Sequence, residues 1–297
     1  GGSEGIETAL KIARLYHLHQ GQGQKHQVIS RWNSYHGATL GALALTGSGV
    51  RKPFTPWLSS STHIEPFNPR NCPFEGCQVI CSLACAKELE RAILRAGPEN
   101  VAAFVAEPIV IGSGPINVPP PDYFLQIREI CDRYNVLFIA DEVVTGFGRT
   151  GRLFAIQHWD VVPDILVFGK GVSSGYFPMG GVLFKDEIRE VVEIKGNGFP
   201  HVFTYVNNPL AARIGLTVLD LLEKERLIAH SAAMGEYLLE KSQSLRTHSI
   251  VGDICGKGLL LGIDLVASRD PYTPLIPSFK AHQKLHLTLM QRGLSVS

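Results

Sequence analysis

Asp141 and Lys170 are the two side chains whose types and positions suggest chemistry done together. Asp141 closes the apolar run Leu137-Phe-Ile-Ala-Asp141, and Lys170 comes 29 positions later, just past the run Ile165-Leu-Val-Phe168. A primary amine can form a Schiff base with an aldehyde, and a carboxylate can keep a pyridine nitrogen protonated. Together these are what pyridoxal phosphate (PLP) chemistry asks of a protein. Either charge alone reads equally well as a solvated loop residue. Two charges, each at the end of a buried-looking run, favour a site.

Those residues need elements to position them. Residues 136–140 and 165–168 are short continuous apolar runs, as expected of strands covered on both faces of a parallel sheet. In such sheets the ligand crevice lies beyond the carboxyl ends of the strands, where Asp141 and Lys170 would emerge. Residues 101–106 read as a third such strand, which Pro108 stops, leaving Glu107 at the same edge. Residues 28–32 read as a fourth, leading to Tyr35-His36-Gly37. Before it, Gly1-Gly-Ser-Glu-Gly5 opens the periodic run Ile6, Leu10, Ile12, Ala13 and Leu15, an amphipathic helix with Ser3 near its N-cap. That start is either an ordinary capped helix or a phosphate site built from glycine, hydroxyl and free amides.

Further along, a Pro-rich linker, Val118-Pro-Pro-Pro121, leads into a helix over 123–133. Residues 179–184 read as a returning strand, 211–247 as helical, 258–266 as a strand and 278–292 as a helix. The expected architecture is α/β: a three-layer α/β/α large domain over residues 1–222 with a mostly parallel sheet, and the start of an incomplete α+β small domain over 223–297.

Composition bounds the function class. The chain of 297 residues, 45% hydrophobic, can bury a sizeable core, and its net charge of +1 argues against nucleic acid as the main partner. No apolar run reaches membrane-spanning length, and no secretory pattern opens the chain. The chain starts inside a motif without an initiator methionine, so a preceding segment is expected. Six cysteines fit a reducing cytoplasm. Cys72, Cys77, Cys81 and Cys85 are separated by steps of five, four and four, which is not the paired Cys-x-x-Cys spacing of zinc ribbons. No metal is expected, and Cys81 and Cys85 are placed on one face of a helix continuing through Leu89 and Ile93. Phe168-Gly-Lys-Gly171 lacks the hydroxyl residue and upstream glycine of a P-loop, and Gly1-Gly-Ser-Glu-Gly5 is no dinucleotide-binding turn.

The motif Ile139-Ala-Asp-Glu-Val-Val-Thr-Gly-Phe-Gly-Arg-Thr-Gly151, followed by Phe168-Gly-Lys-Gly171, resembles the signature of the class III (omega-type) PLP-dependent aminotransferases of fold type I. Gly2-Ser-Glu4, Tyr35-His-Gly37, Glu107-Pro108 and Phe203-Thr-Tyr205 extend the resemblance over nearly the whole chain. It implies that Lys170 carries PLP and moves the proton, and that Asp141 holds the pyridinium. It also implies that Gly2 and Ser3 take the cofactor phosphate, that Tyr35 stacks on the ring and that Val143 packs on the opposite face. Thr204 then reaches the phosphate of a neighbouring subunit, making the enzyme a homodimer with its sites at the interface.

Some assignments stay open at this level. His36 is either a packed core residue or a cofactor contact. Glu142 contacts the cofactor and substrate side or neutralises Arg149. Glu107 belongs to the substrate side of the pocket or is a strand-end acid paired locally. The chain also departs from the family at Val144, where many relatives have glutamine, at Val202 and Val206-Asn207-Asn208 around Thr204, and at Cys255, commonly an arginine. The family's carboxylate-binding arginine normally lies beyond residue 297. The implied reaction is transamination between an amine or omega-amino acid and a 2-keto acid such as pyruvate, with ping-pong kinetics. The alternatives are a decarboxylating transaminase or aminomutase, or a catalytically silent relative acting as a dimerisation module.

Overall fold

The computed structural model describes residues 1–70, 72–74, 81–111, 116–196, 198–276 and 280–296. Its first unit begins with α1 (Gly2–His19), β1 (Gln27–Arg31), α2 (Leu40–Leu45), β2 (Thr62–Ile64), α3 (Ala84–Ala96) and β3 (Val101–Ala106). It continues with α4 (Asp122–Arg133), β4 (Leu137–Asp141), β5 (Ile165–Phe168), β6 (Gly181–Phe184), α5 (Asp186–Arg189) and α6 (Pro209–Lys224). The six strands form one sheet in the order β2-β1-β3-β4-β5-β6, parallel except for β6, which runs antiparallel to β5.

Strand alternation sorts the core into two layers. Ile29, Phe104, Ala106, Phe138 and Ala140 pack with Leu89 and Ile93 of α3 and Phe124 and Ile127 of α4. Ala103, Val105, Leu137, Ile139, Ile165 and Val167 pack with Ile6, Ala9 and Ile12 of α1 and Leu45 of α2. Every residue of β3 and of β4 is buried, which is why their sequences are continuous apolar runs rather than alternating ones. This is the expected three-layer α/β/α arrangement.

The rest of the chain is α7 (Leu227–Ser242), β7 (Val251–Lys257), β8 (Leu260–Arg269), β9 (Tyr272–Pro274) and α8 (Ala281–Gln291). Its three strands make an antiparallel sheet in the order β7-β8-β9. The two units meet at the loop after β4, where the Leu259 amide of the β7–β8 turn donates to the Arg149 carbonyl at 2.9 Å. The glycine-rich second half of the Asp141 motif is therefore a platform for the C-terminal unit.

Several boundaries differ from expectation. Helix α6 runs through residue 222 to Lys224, past the expected domain boundary. Helix α3 starts at Ala84 after a left-handed Leu83, so Cys81 precedes the helix rather than sharing a face of it with Cys85. Cys85 itself is buried in the core, and Cys77 lies outside the described residues. Ser3 lies in the first turn of α1, one residue inside the helix start at Gly2.

Candidate active site

In the strand order β2-β1-β3-β4-β5, the chain leaves β1 toward one sheet edge and returns to the other side at β3. The crevice outside the carboxyl ends of β1 and β3 is the topological switch point, where open α/β sheets bind ligands. Register then determines which side chains meet there. Ala106 pairs with Ala140, which puts Glu107 beside Asp141 one position further on. Asp141 pairs with Val167, so Lys170 emerges three residues beyond it on the next strand. A cavity of about 520 Å³ opens at this edge, lined by Gly1, Gly2, Ser3, Tyr35, His36, Glu107, Asp141, Val143 and Lys170, among others.

Asp141 alternates with Leu137 and Ile139 and so faces the α1 side of the sheet. Its carboxylate is held at both oxygens. The Val143 amide donates to Oδ1 at 3.1 Å, and His36 Nδ1 donates to Oδ2 at 2.7 Å. His36 is buried, its amide donates to Thr46 Oγ1 at 2.9 Å, and its Nε2 has no hydrogen-bond partner among the described residues. The histidine is thus packed and orients Asp141, a role the sequence reading, which weighed a core residue against a cofactor contact, did not offer.

The N-terminus of α1 opens into the same cavity. Amides in the first turn of a helix have no intrahelical acceptor, and the helix dipole favours an anion there. A Cβ at Gly2 would come within 2.8 Å of Val143 Cγ1, so only glycine lets the helix start lie this close to the Asp141 turn. Gly37 (φ +139°) makes a similar close approach to Ser3, whose Oγ accepts from the Ala38 amide at 3.1 Å. A phosphate-sized anion fits this cradle. The carboxylate, the helix start, the exposed Tyr35 ring and the lysine together fit a phosphorylated pyridine aldehyde in charge and in kind.

Lys170 opens a short 3-10 turn directly after β5, with its backbone in the left-handed region (φ +38°). A non-glycine residue there costs about 1–3 kcal/mol and persists only where its surroundings hold it. Val172, buried behind it, and Ser173 continue the turn. Ile109, Ile111, Phe177, Pro178 and Met179 form an apolar wall on the cavity. Sequence reading did not single these out, because an apolar residue in a loop carries no signal until the loop is placed.

Glu107 lines the cavity and is buried, with Oε2 lacking a partner among the described residues. Burial pushes its carboxyl up from 4.5 to about 7, with His36 opposing and Asp141 adding to the rise. Beneath it lies the fully buried Arg31, whose Nη2 donates to the Glu107 carbonyl. Among the described residues its carboxylate therefore forms no ion pair with a local base.

Glu142 requires correction. It does not line the cavity, and among the described residues it forms no ion pair with Arg149. Its carboxylate accepts from Thr145 Oγ1 at 2.5 Å, from the Ala155 amide at 3.0 Å and from the Ile156 amide at 2.7 Å. Turned away from Asp141, it ties the motif loop to the following 3-10 turn. Burial still raises it to about 7, against those three hydrogen bonds. Thr204 is exposed and also lies outside the cavity of its own chain.

The model of the class III aminotransferase family matches residues 1–295. An uncharacterized aminotransferase of Bacillus subtilis strain 168, YodT, is 40% identical over 99% of this chain and 67% of its own length. A putrescine–pyruvate aminotransferase of Pseudomonas aeruginosa is 38% identical over 90% of this chain and 59% of its own. Among solved structures, an amine transaminase from an uncultivated Pseudomonas species in its PLP-bound form is 36% identical, with a TM-score of 0.93. That match covers all of this chain and 68% of the other. The chain thus spans about three-fifths to two-thirds of the length of these curated relatives.

Proposed function

The chain belongs to the class III aminotransferase family of PLP-dependent enzymes, and from that premise we propose that it transfers an amino group between an amine or omega-amino acid and a 2-keto acid such as pyruvate. The observation that carries this reading is the convergence of Lys170, Asp141 and the N-terminus of α1 on one cavity. Bound PLP supplies an aldehyde with which an amine condenses and a cationic ring that withdraws electrons from the attached carbon.

The residues divide that work. The first turn of α1, with Gly2 and Ser3, holds the phosphate. Tyr35 and Val143 confine the ring, and Asp141, oriented by His36 and the Val143 amide, holds the proton on the ring nitrogen. Lys170 binds the cofactor covalently through Nζ. Once freed by the incoming amine, that nitrogen would take the proton from the substrate's amino-bearing carbon and deliver it to the carbon that had carried the cofactor's aldehyde. The apolar wall of Ile109, Ile111 and Phe177 receives the substrate's hydrocarbon part and keeps water from it. Glu107, at the cavity floor, faces the substrate side.

Two further parts belong to the same proposal. Thr204, exposed on its own chain beside Val202 and Tyr205, is supplied to a second subunit, so the active form is a homodimer. Residues 1–224, through the end of α6, form the cofactor-binding unit, and the residues from α7 onward form a second, smaller one. No described helix is long and apolar enough to cross a membrane, and the cysteine content suits the cytoplasm.

Replacing Lys170 tests the assignment directly. Lys170→Ala is expected to lose the absorbance of the lysine-bound cofactor and to slow turnover by at least about 10²- to 10⁴-fold, the range for a positioned proton-transfer group. Full turnover in that variant overturns the mechanism. A half-reaction screen of amines against the PLP form, read as conversion to the pyridoxamine form, identifies the donor.

A further inference from the structure

Arg70 lies outside the cavity, yet it grips the back of the cavity wall. Beyond β3 the chain lines the cavity with Glu107, Ile109 and Ile111. The wall is closed from behind by an antiparallel bridge between Val110 and Asn117. Arg70 Nη2 donates to the Ile116 carbonyl at 3.1 Å and to Asn117 Oδ1. Its Nη1 donates to Asp253 Oδ2 on β7 at 2.5 Å, and its Nε lies 3.6 Å from Asp264 Oδ2 on β8.

The neighbours reinforce this grip. Cys255 Sγ on β7 lies against the same Ile116 carbonyl, and Arg70 Nη1 donates to that sulfur at 3.5 Å. A Cβ at Gly262 on β8 would come within 2.9 Å of the Ile116 Cβ, so the C-terminal sheet packs directly on the wall's return segment. Arg246 holds the other oxygen of Asp253 at 2.6 Å, and Tyr272 Oη donates to Asp264 Oδ2 at 3.0 Å. Both acids are thereby fixed before Arg70 joins them to the wall.

We infer that Arg70 is a positioning residue that sets the apolar wall of the substrate pocket by riveting its return segment to the C-terminal sheet. A planar guanidinium can serve a carbonyl, a side-chain amide and a carboxylate at once, which a lysine ammonium on a flexible stem cannot do in fixed geometry. Arg70 is nearly buried between two carboxylates, so its loss frees the wall, removes the counter-charge beside Asp264 and leaves Asp253 with Arg246 alone. Cys255 fits the same arrangement, since a thiol leaves room for Arg70 while holding the Ile116 carbonyl. The substrate consequence rests on the proposed transamination, but the mechanical one does not.

The test uses Arg70→Ala and Arg70→Lys with two readouts. Hydrogen–deuterium exchange on the cofactor-free protein is expected to speed up in peptides covering 107–118 while those covering β4 stay protected. In steady-state kinetics, KM for an amine donor with a bulky apolar substituent is expected to rise roughly five- to tenfold, as for coupled neighbours in one network. For a small amine donor, kcat and KM stay within about twofold, and Asp253→Asn shifts exchange and KM in the same direction. Unchanged exchange over 107–118 overturns the inference, as does equal loosening of β4 or a KM rise shared by small and bulky donors. If Arg70→Ala does not fold, Arg70→Lys decides by the same criteria. If no amine is turned over, the transamination reading fails while the exchange result still decides the rivet.

Discussion

The six-stranded and three-stranded sheets are both written in apolar residues, yet they are used differently. All of β3 and β4 is buried between two helical layers, and β4 ends in Asp141. In β8, Asp264 and Val266 face inward while Ile263 and Ala267 are exposed. Moving a strand covered on both faces would open packing on two sides, so side chains at its end inherit a fixed position. A strand covered on one face can shift at little cost. Lys170 and Asp141 sit at the ends of the first kind. Among the described residues the second kind reaches the cavity wall from behind, through Arg70 and its acids, through Cys255 and through the close approach at Gly262.

Three substitutions probe that contrast. The largest stability loss is expected at Phe138, which is fully buried and packs between Phe104 and Phe124 with ring centroids 6.2 and 5.8 Å away. Phe138→Ala should cost about 3–5 kcal/mol in a denaturant titration. A loss under about 1 kcal/mol would mean that the central sheet is no more rigid than the peripheral one.

Glu107 comes next. Its carboxyl is raised from 4.5 to about 7 by burial, so between those values the folded protein keeps a proton that the unfolded chain has released. Stability of the cofactor-free protein should therefore fall as pH rises across that window and level off above it. Glu107→Gln should make the slope shallower in melts run from pH 4.5 to 8. Glu142, raised to about 7 as well, supplies a remainder of the same sign. An unaltered slope would show that Glu107 is solvated rather than sealed at the cavity floor.

The smallest effect is expected at Ile263, 40% exposed on the outer face of β8. Ile263→Ala should stay within about 0.5 kcal/mol of the parent. A clearly larger loss would reveal that this face is covered in solution and would narrow the difference between the two sheets.

Much of the central unit was legible in the sequence because a short, continuous apolar run that ends in a charge suits little besides a strand buried on both faces. Residues 101–106, 136–140 and 165–168 were readable in that way, and so was the ordering of Glu107, Asp141 and Lys170 at the strand ends. Residues 258–266 were readable as a strand from the same kind of run, but the run did not say how many of its faces are covered. An apolar run reports what a segment could bury, and β8 buries only alternate residues. Glu142 was misread for a related reason. Adjacent to Asp141 in the motif, it points the other way, as successive side chains beyond a strand end do, and two of its three partners lie 13 and 14 residues downstream.

The sequence by itself determined the chemistry: an amine, a carboxylate, a glycine-opened helix and an aromatic ring, in an order that resembles one family. Chemical identity is local, so it survives in one dimension. Only the tertiary structure decided which of those groups share a cavity, that His36 orients Asp141, that Glu142 faces away and that Arg70 reaches the wall from a distant segment. Those outcomes depend on strand register and on which side of the sheet each loop crosses, and both are set by packing between residues far apart in the chain.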